Sequence, residues 1–295
     1  MPDFILAPAD AVDPADLHAA FVAAFADYLP GPFEVALGQW PAFLARQCVH
    51  LPASRVAVAG GIVQSFALVA PRPDRRHWRL GTMGAVPAAR GTGAAPALLD
   101  DFIARARAAG QAQAELECFA QNERGVRLYR SRSFETVHEL HGYGGMPHVL
   151  AGSDAAADAS VEAVPLDDAF AWLERAGREC DGLPLQVTPP SLRALPVALQ
   201  AWRHGRAQVI ASDGADRLVI HSLVDLEPTQ TSAERLVAHL MRRAAGSTVF
   251  VPQLQREDLG GRALARCGLQ RLPLHQLLMR RPLQVSSGRA PTPPR

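Results

Sequence analysis

The segment AVPAARGTGAAPALL, residues 85–99, carries the sharpest local signal in the chain. Its apolar start is typical of a strand, and the residues after Pro96 follow helical spacing. Between them lies the turn Arg90-Gly91-Thr92-Gly93. Glycines ahead of a helix let unpaired backbone N–H groups approach an anion, and the helix dipole adds partial positive charge there. The segment therefore predicts a phosphate-binding turn, with a simple tight turn as the alternative.

Two phosphate-binding patterns compete for this turn. The dinucleotide pattern G-x-G-x-x-G/A requires a small residue where this chain has Pro96, and it follows the first strand of a parallel sheet. The pattern R-x-x-G-x-G/A is satisfied by Arg90, Gly93 and Ala95. On this second pattern the turn resembles the pyrophosphate loop of the GNAT superfamily of acyl-CoA-dependent N-acyltransferases.

The elements around the turn extend this resemblance. Upstream, apolar spacing predicts helices over 14–28 and 39–47, and a hairpin at Gly60-Gly61 with the run 76–86 predicts three antiparallel strands. Downstream, a helix ends at Gly110, and a strand (114–120), a helix (123–131) and a strand (134–143) follow. The segment LECFAQNERGVRLYRSRSFE, residues 116–135, has the GNAT spacing of Asn122 and Tyr129, with Ser133 where glycine is usual. The resemblance covers roughly residues 4–143.

The resemblance implies roles for specific residues. Tyr129 would give a proton to the departing thiolate, because a phenol with a pKa near 10 stays protonated at neutral pH. The strand end Gly84-Ala85-Val86 would hold the pantetheine arm by its backbone, and Asn122 would cap the next helix or contact the same arm. The residues implied for pyrophosphate binding are Arg90, Gly91, Thr92, Gly93, Ala94 and Ala95.

Candidates for the base lie on the strand before Asn122. Glu117 stands 12 residues before Tyr129, a spacing similar to that of bacterial ribosomal-protein alanine acetyltransferases. It is the first choice as the proton acceptor. Strand alternation places Glu115 on the same face, so Glu115, or a histidine acting through water, remains an alternative.

The second half of the chain follows a fainter version of the same order. We predict a catalytic domain at 1–145, a linker at 146–160, a related domain at 161–283 and a disordered tail at 284–295. In the second domain the turn lacks glycine, Glu227 adds negative charge, and Leu264 stands opposite Tyr129. This half resembles the degenerate C-terminal domain of tandem GNAT proteins and should not bind acyl-CoA. The predicted fold is α/β (α+β): two GNAT-like domains, each a mixed, mostly antiparallel sheet flanked by helices.

Composition excludes several other functions. The 295 residues contain 30 arginines and no lysine, which removes lysine Schiff-base and GxxxxGK[ST] chemistry. A net charge of +1 speaks against nucleic acid, and no apolar run is long enough to span a membrane. The four widely spaced cysteines predict no metal site and no disulfide framework, and they favour a cytoplasmic protein.

The expected function is acetyl-CoA-dependent transfer of an acetyl group to a primary amine by direct attack. Acetyl-CoA is the cosubstrate, and the acceptor is a small molecule or a peptide N-terminus. The sequence leaves two alternative functions open: a silent CoA-binding regulatory or scaffold protein, and an enzyme that uses another acyl-CoA. It also leaves open a homodimeric assembly.

Overall fold

The computed structural model describes residues 4–146, 160–214, 216–244 and 246–283. Within them, twelve strands form one sheet in the order β1-β2-β3-β4-β5-β12-β6-β11-β10-β9-β8-β7. The strands are β1 Ile5–Pro8, β2 Arg55–Ala59, β3 Ile62–Arg72, β4 His77–Ala85, β5 Gln113–Phe119, β6 Glu135–Gly145, β7 Glu162–Val164, β8 Gln200–His204, β9 Ala207–Asp213, β10 Arg217–Asp225, β11 Thr248–Arg256 and β12 Gln270–Pro282.

Helices pack on both faces of this sheet. They are α1 Pro14–Phe25, α2 Trp40–Arg46, α3 Ala94–Ala108, α4 Glu123–Arg130, α5 Leu166–Glu179, α6 Pro189–Leu192, α7 Thr231–Arg243 and α8 Gly261–Arg266. In the first half, α1 and α2 cover one face and α3 and α4 the other, each with its own apolar core. Among the described helices, none combines the length and apolar character that a membrane crossing requires.

The predicted order of elements in the first half is confirmed. Gly60 and Gly61 both have positive φ, at +57° and +79°, which joins β2 to β3 by a tight hairpin turn. Helix α3 begins after Gly93 and stops before Gly110, where φ is +68°. The structure adds β1, β7, β8, α5 and α6, none of which we predict from the sequence. Of these, α5 does carry a helical period, with Ala169, Phe170, Leu173 and Ala176 buried on one face.

The strands β4 and β5 run parallel for a short distance and then separate. Their pairing covers His77–Leu80 against Gln113–Leu116. Beyond these residues β4 continues along β3, and β5 continues along β12. The separation leaves a V-shaped gap between the two strands, open to both faces of the sheet.

The two halves of the chain exchange their last strands. β12, from the second half, lies between β5 and β6 of the first half, and β6 lies between β12 and β11. Each half therefore completes its sheet with a strand that the other half supplies. The predicted boundaries at 145 and 161 stay a prediction; most of the predicted linker (147–159) and the whole tail (284–295) lie outside the described residues.

Candidate active site

The gap between β4 and β5 opens into a cavity of about 750 Å³. Its walls come from α1, the end of β4, the glycine turn, the start of α3, the end of β5 and α4. Two glutamines from the second half, Gln186 and Gln276, also line it. The lining residues run from Phe21 to Gln276, far apart in sequence. The sheet is what brings them together.

One end of the cavity is a cradle of backbone N–H groups. Gly91 and Gly93 have φ of +86° and +91°, the left-handed region that favours glycine. Nothing in the described part of the chain accepts a hydrogen bond from the N–H groups of Gly91, Gly93 or Ala95. All three residues line the cavity at the start of α3. This arrangement suits an anionic ligand.

Not every residue predicted for this turn faces the cavity. Val86, Thr92 and Ala94 are outside its lining. The hydroxyl of Thr92 donates to the Ala89 carbonyl over 2.8 Å and accepts from the N–H of Ala94 over 3.4 Å. The two residues shape the turn and leave the neighbouring amides free.

The backbone of β4 offers two further amides. The N–H of Val86 donates to the Gln64 carbonyl over 2.9 Å, so the prediction that it faces a ligand is wrong. Hydrogen bonds to one neighbour alternate along an antiparallel strand, which directs the N–H groups of Met83 and Ala85 away from β3. Both residues line the cavity.

The cations at this end differ in their pairing. Arg90 binds Asp27 through both guanidinium ends, one contact measuring 2.6 Å. The hydrogen bonding lowers the pKa of Asp27 and raises that of Arg90. Arg124, in the first turn of α4, lines the cavity and makes no hydrogen bond or ion pair with the described residues. No motif in the sequence predicts a role for it.

Tyr129 lies on α4 and lines the cavity. It is buried, and burial raises the pKa of its phenol well above the ordinary value. Asn122 begins the helix, where its Oδ1 accepts from the N–H of Gly125 over 3.0 Å. Gly125 is needed there, because a Cβ would lie 2.8 Å from the Asn122 amide nitrogen. Asn122 therefore acts as a cap and also borders the cavity.

Tyr28 and Cys118 border the cavity as well. Burial raises the pKa of both side chains to about 12. Tyr28 packs edge-on against Phe119, with ring centroids 5.8 Å apart. We predict neither residue from the sequence. Tyr28 follows α1 in a stretch without a motif, and Cys118 is one apolar position of β5 among others.

Glu117 lies at the point where β4 and β5 separate. Its Oε2 accepts from the Nε of Arg79 over 2.7 Å, and both side chains are almost fully buried. Glu117 Oε1 and Arg79 Nη1 are buried without a partner among the described residues. Gly81 makes room for the guanidinium, because a Cβ there would lie 2.8 Å from Arg79 Nη1.

Comparison with known proteins agrees with this geometry. Residues 18–134 match the model of the acetyltransferase (GNAT) family. This part of the chain is a GNAT domain. No curated protein matches the chain in sequence.

Solved structures share the fold over almost the whole chain. A GCN5-related N-acetyltransferase from Anabaena variabilis has a TM-score of 0.69 at 15% identity, covering 96% of this chain and 73% of that one. The corresponding protein from Sphaerobacter thermophilus has a TM-score of 0.63 at 17% identity, covering 96% of both chains. One from Kribbella flavida has 0.62 at 17% identity, covering 95% and 71%. These similarities extend past the GNAT domain and show the fold of both halves.

Within the GNAT domain, Glu115 has surroundings quite unlike those of Glu117. Its carboxylate binds Arg72 over 3.1 Å and Arg280 of β12 over 2.8 Å. Burial by itself raises the pKa of Glu115, but the nearby His77 imidazole and the two guanidinium groups outweigh it and lower the pKa to about 2. Glu115 is absent from the cavity lining. It joins strands of the two halves and does not face the GNAT cavity.

The second half has the same strand divergence but a filled gap. β10 and β11 pair in parallel only over Arg217–Val219 and Thr248–Phe250. The cavity beyond them measures about 10 Å³. Asp225 accepts from the N–H groups of Glu227 and Ala233, over 2.9 and 2.8 Å, at the start of α7. The Asp225 carboxylate thus accepts from an amide in the first turn of α7, whereas three amides at the start of α3 in the GNAT domain are left without an acceptor among the described residues.

Metal ligands do not gather anywhere in the part of the chain that the structure describes: no group of three or more His, Cys, Asp or Glu could hold a metal ion.

Proposed function

We propose that the protein is an acetyl-CoA-dependent N-acetyltransferase whose active site lies in the GNAT domain. The acceptor is a primary amine of a small molecule or a peptide N-terminus. One observation carries the proposal: a single cavity joins three free backbone amides at the start of α3 to the buried Tyr129. The residues fit acetyl-CoA, since free amides suit a pyrophosphate and the amides of Met83 and Ala85 suit an extended pantetheine arm.

Acetyl-CoA supplies the activated thioester, and the residues of the chain manage the protons. The amine nitrogen forms a bond to the carbonyl carbon, and the carbon–sulfur bond breaks. The hydroxyl of Tyr129, which burial keeps protonated, donates its proton to the departing thiolate and is reprotonated from solvent, so that the coenzyme leaves as the free thiol. Glu117 accepts the proton that the amine loses, directly or through water.

The ion pair with Arg79 defines how Glu117 takes part. Arg79 engages Oε2, and Oε1 keeps its capacity to accept a hydrogen bond. The pair holds the carboxylate in place at the junction of β4 and β5. Glu115 is a poorer base, because two arginines bind its carboxylate and its pKa is about 2.

The second half serves the first as a structural partner in this proposal and binds no acyl-CoA. The carboxylate of Asp225 on the amides of α7 supports this view, as does the filled gap between β10 and β11. We place the protein in the cytoplasm, where its four cysteines, all free in the structure, stay reduced.

Isothermal titration with acetyl-CoA tests the binding site. We expect the wild type to bind, and we expect Gly93→Glu to weaken binding at least about tenfold, because it places a carboxylate beside the free amides. Gly110→Glu is the matched control. Gly110 lies at the other end of α3, also has positive φ, and leaves the same open space around a Cβ.

The outcomes separate the hypotheses. If the wild type binds no acetyl-CoA, or if the two variants lose affinity equally, the proposed site is wrong. If binding occurs but no amine in a broad panel releases free thiol, the protein binds CoA without turnover. Comparing acetyl-CoA with succinyl-CoA and longer acyl-CoA in the same assay identifies the acyl group.

A further inference from the structure

We propose that the acceptor is a compact monoamine on an apolar body, and that Gln186, supplied by the second half, binds it. This inference rests on the acetyltransferase function proposed above and names the substrate class of that same site. It starts from polar atoms in the cavity wall that the protein itself leaves without partners.

Gln186 lies in the short turn Leu185–Val187, between two buried residues. Its side chain lines the cavity, and its Oε1 is buried. This oxygen accepts no hydrogen bond from any described residue, although Gln186 as a whole is only half-buried. A buried carbonyl oxygen without a donor is costly, so its presence in a cavity wall indicates a ligand that supplies one.

Gln186 shares one face of the sheet with Glu117 and Arg79. The turn that holds Gln186 is fixed there by two contacts: Arg72 donates to the Leu183 carbonyl over 2.7 Å, and Ser191 donates to the Arg46 carbonyl of α2 over 2.6 Å. Tyr129 packs in the core on the opposite face, with α3 and α4. The cavity therefore has two sides, and the side opposite Tyr129 is the one suited to the acceptor.

Two of the unpartnered atoms on this side, the Oε1 atoms of Gln186 and Glu117, accept hydrogen bonds. An amine carries the N–H donors that both of them lack. Arg79 Nη1 lies in the same wall and is a donor without a partner among the described residues. Gln47, Thr82 and Gln276 also line the cavity, and Gln276 Nε2 already donates to the Gln253 carbonyl over 2.9 Å. The two buried acceptor atoms, Oε1 of Gln186 and Oε1 of Glu117, match a single amino group.

Charge argues against a polycationic acceptor. The charged residues in the described lining form two pairs, Arg79 with Glu117 and Arg90 with Asp27, and Arg124 adds one positive charge. No surplus carboxylate remains to bind a second ammonium group. A polyamine would lose hydration without gaining a counter-charge.

Aromatic rings form part of the remaining wall on the acceptor side. Phe33 and Phe43 line the cavity with ring centroids 5.9 Å apart, and Phe43 stacks on Trp40 behind it. Aromatic walls bind apolar bodies of similar size. The combination of one amine position and aromatic walls gives the proposed substrate class.

Steady-state kinetics on the full-length protein test the proposal, with phenethylamine as the compact monoamine and spermidine as the polyamine. We expect wild-type kcat/KM to be higher for phenethylamine. We expect Gln186→Ala to raise the KM for phenethylamine about tenfold, the effect of one lost hydrogen bond to a partly charged donor, while the KM for acetyl-CoA stays the same. Gln270→Ala, which changes an exposed glutamine outside the cavity, should match the wild type.

Gln186→Glu provides a second measurement that does not depend on lost packing. It adds the missing carboxylate, so the ratio of kcat/KM for spermidine over phenethylamine should rise. Preference of the wild type for spermidine, or an unchanged KM in Gln186→Ala with an unchanged ratio in Gln186→Glu, would overturn the inference and leave the acetyltransferase proposal intact. Failure of the wild type to bind acetyl-CoA would instead overturn the proposed function itself.

Discussion

At the scale of single residues, two phenols border the cavity and compete for one role. Tyr129 and Tyr28 both lie in the lining, and burial raises the pKa of each. Both therefore stay protonated at neutral pH and could donate to a thiolate. The sequence selected Tyr129 by its distance from Asn122, and it gave no reason to examine Tyr28.

Removing each hydroxyl separately distinguishes them. We expect Tyr129→Phe to lower kcat about 100-fold while the affinity for acetyl-CoA changes little, because the phenol acts on the leaving thiolate. Tyr28→Phe is the matched control and should keep most of the activity. A larger loss in Tyr28→Phe than in Tyr129→Phe would assign the proton to Tyr28.

At the scale of elements, β5 shows how one strand face can hold two carboxylates with separate tasks. Alternation along β5 puts Glu115 and Glu117 on the same face, as the sequence predicted. Arginines on the neighbouring strands give the two carboxylates different surroundings. Arg79 of β4 leaves one oxygen of Glu117 free, whereas Arg72 and Arg280 bind both oxygens of Glu115. Periodicity cannot predict the second case, since Arg280 is 165 residues away in sequence.

Glu115 should matter to stability more than to chemistry. We expect Glu115→Gln to destabilise the protein by about 3–5 kcal/mol, because it removes the buried carboxylate that Arg72 and Arg280 share and leaves each of them only an exposed aspartate as counter-charge. Urea unfolding measures this difference. Glu123→Gln is the control, since Glu123 pairs with Arg127 on the exposed face of α4 and its loss should cost under about 0.5 kcal/mol.

The same carboxylate predicts the direction of the acid response. The pKa of Glu115 is about 2 in the native state and 4.5 ordinarily, so its contribution is complete above about pH 4.5 and is lost as the pH falls toward 2. Wild-type stability should fall through this window, and Glu115→Gln should fall less steeply. Equal slopes for the two proteins would show that Glu115 is not the responsible group.

Local elements could be predicted from the sequence, and their long-range partners could not. The glycine turn, the hairpin at Gly60-Gly61 and helix α3 each have signals within a few residues. The place of β12 inside the first half has no such signal, because a strand's period does not name its neighbour. Gln186 was invisible for the same reason, since it enters the cavity from the other half of the chain.

At the scale of the whole molecule, the exchange of β6 and β12 makes the two halves interdependent. In β12, Leu277, Leu278 and Met279 are buried. Residues 276–282 of β12 pair with the whole length of β5. The active-site half thus lacks an internal strand of its sheet when it stands alone. The ion pair between Glu115 of β5 and Arg280 of β12 also joins these two strands.

This interdependence predicts the behaviour of a fragment. We expect residues 1–146 expressed alone to lack a cooperative unfolding transition and to bind no acetyl-CoA, because β5 loses a neighbouring strand and the apolar surface that it buries. Circular dichroism melting and titration calorimetry measure both properties. Adding residues 160–295 as a separate chain should restore them in part, whereas a stable fragment 1–146 that binds acetyl-CoA by itself would refute the prediction.

The strand exchange also sets an order of events during protein synthesis. The ribosome makes β12 after the eleven other described strands, yet β12 stands sixth in a row of twelve strands. Until it emerges, β5 presents an open edge, and such edges attract other chains. Contacts so distant in sequence also slow folding. The active-site half, although translated first, therefore waits for β12, and the edge of β5 stays exposed through that interval.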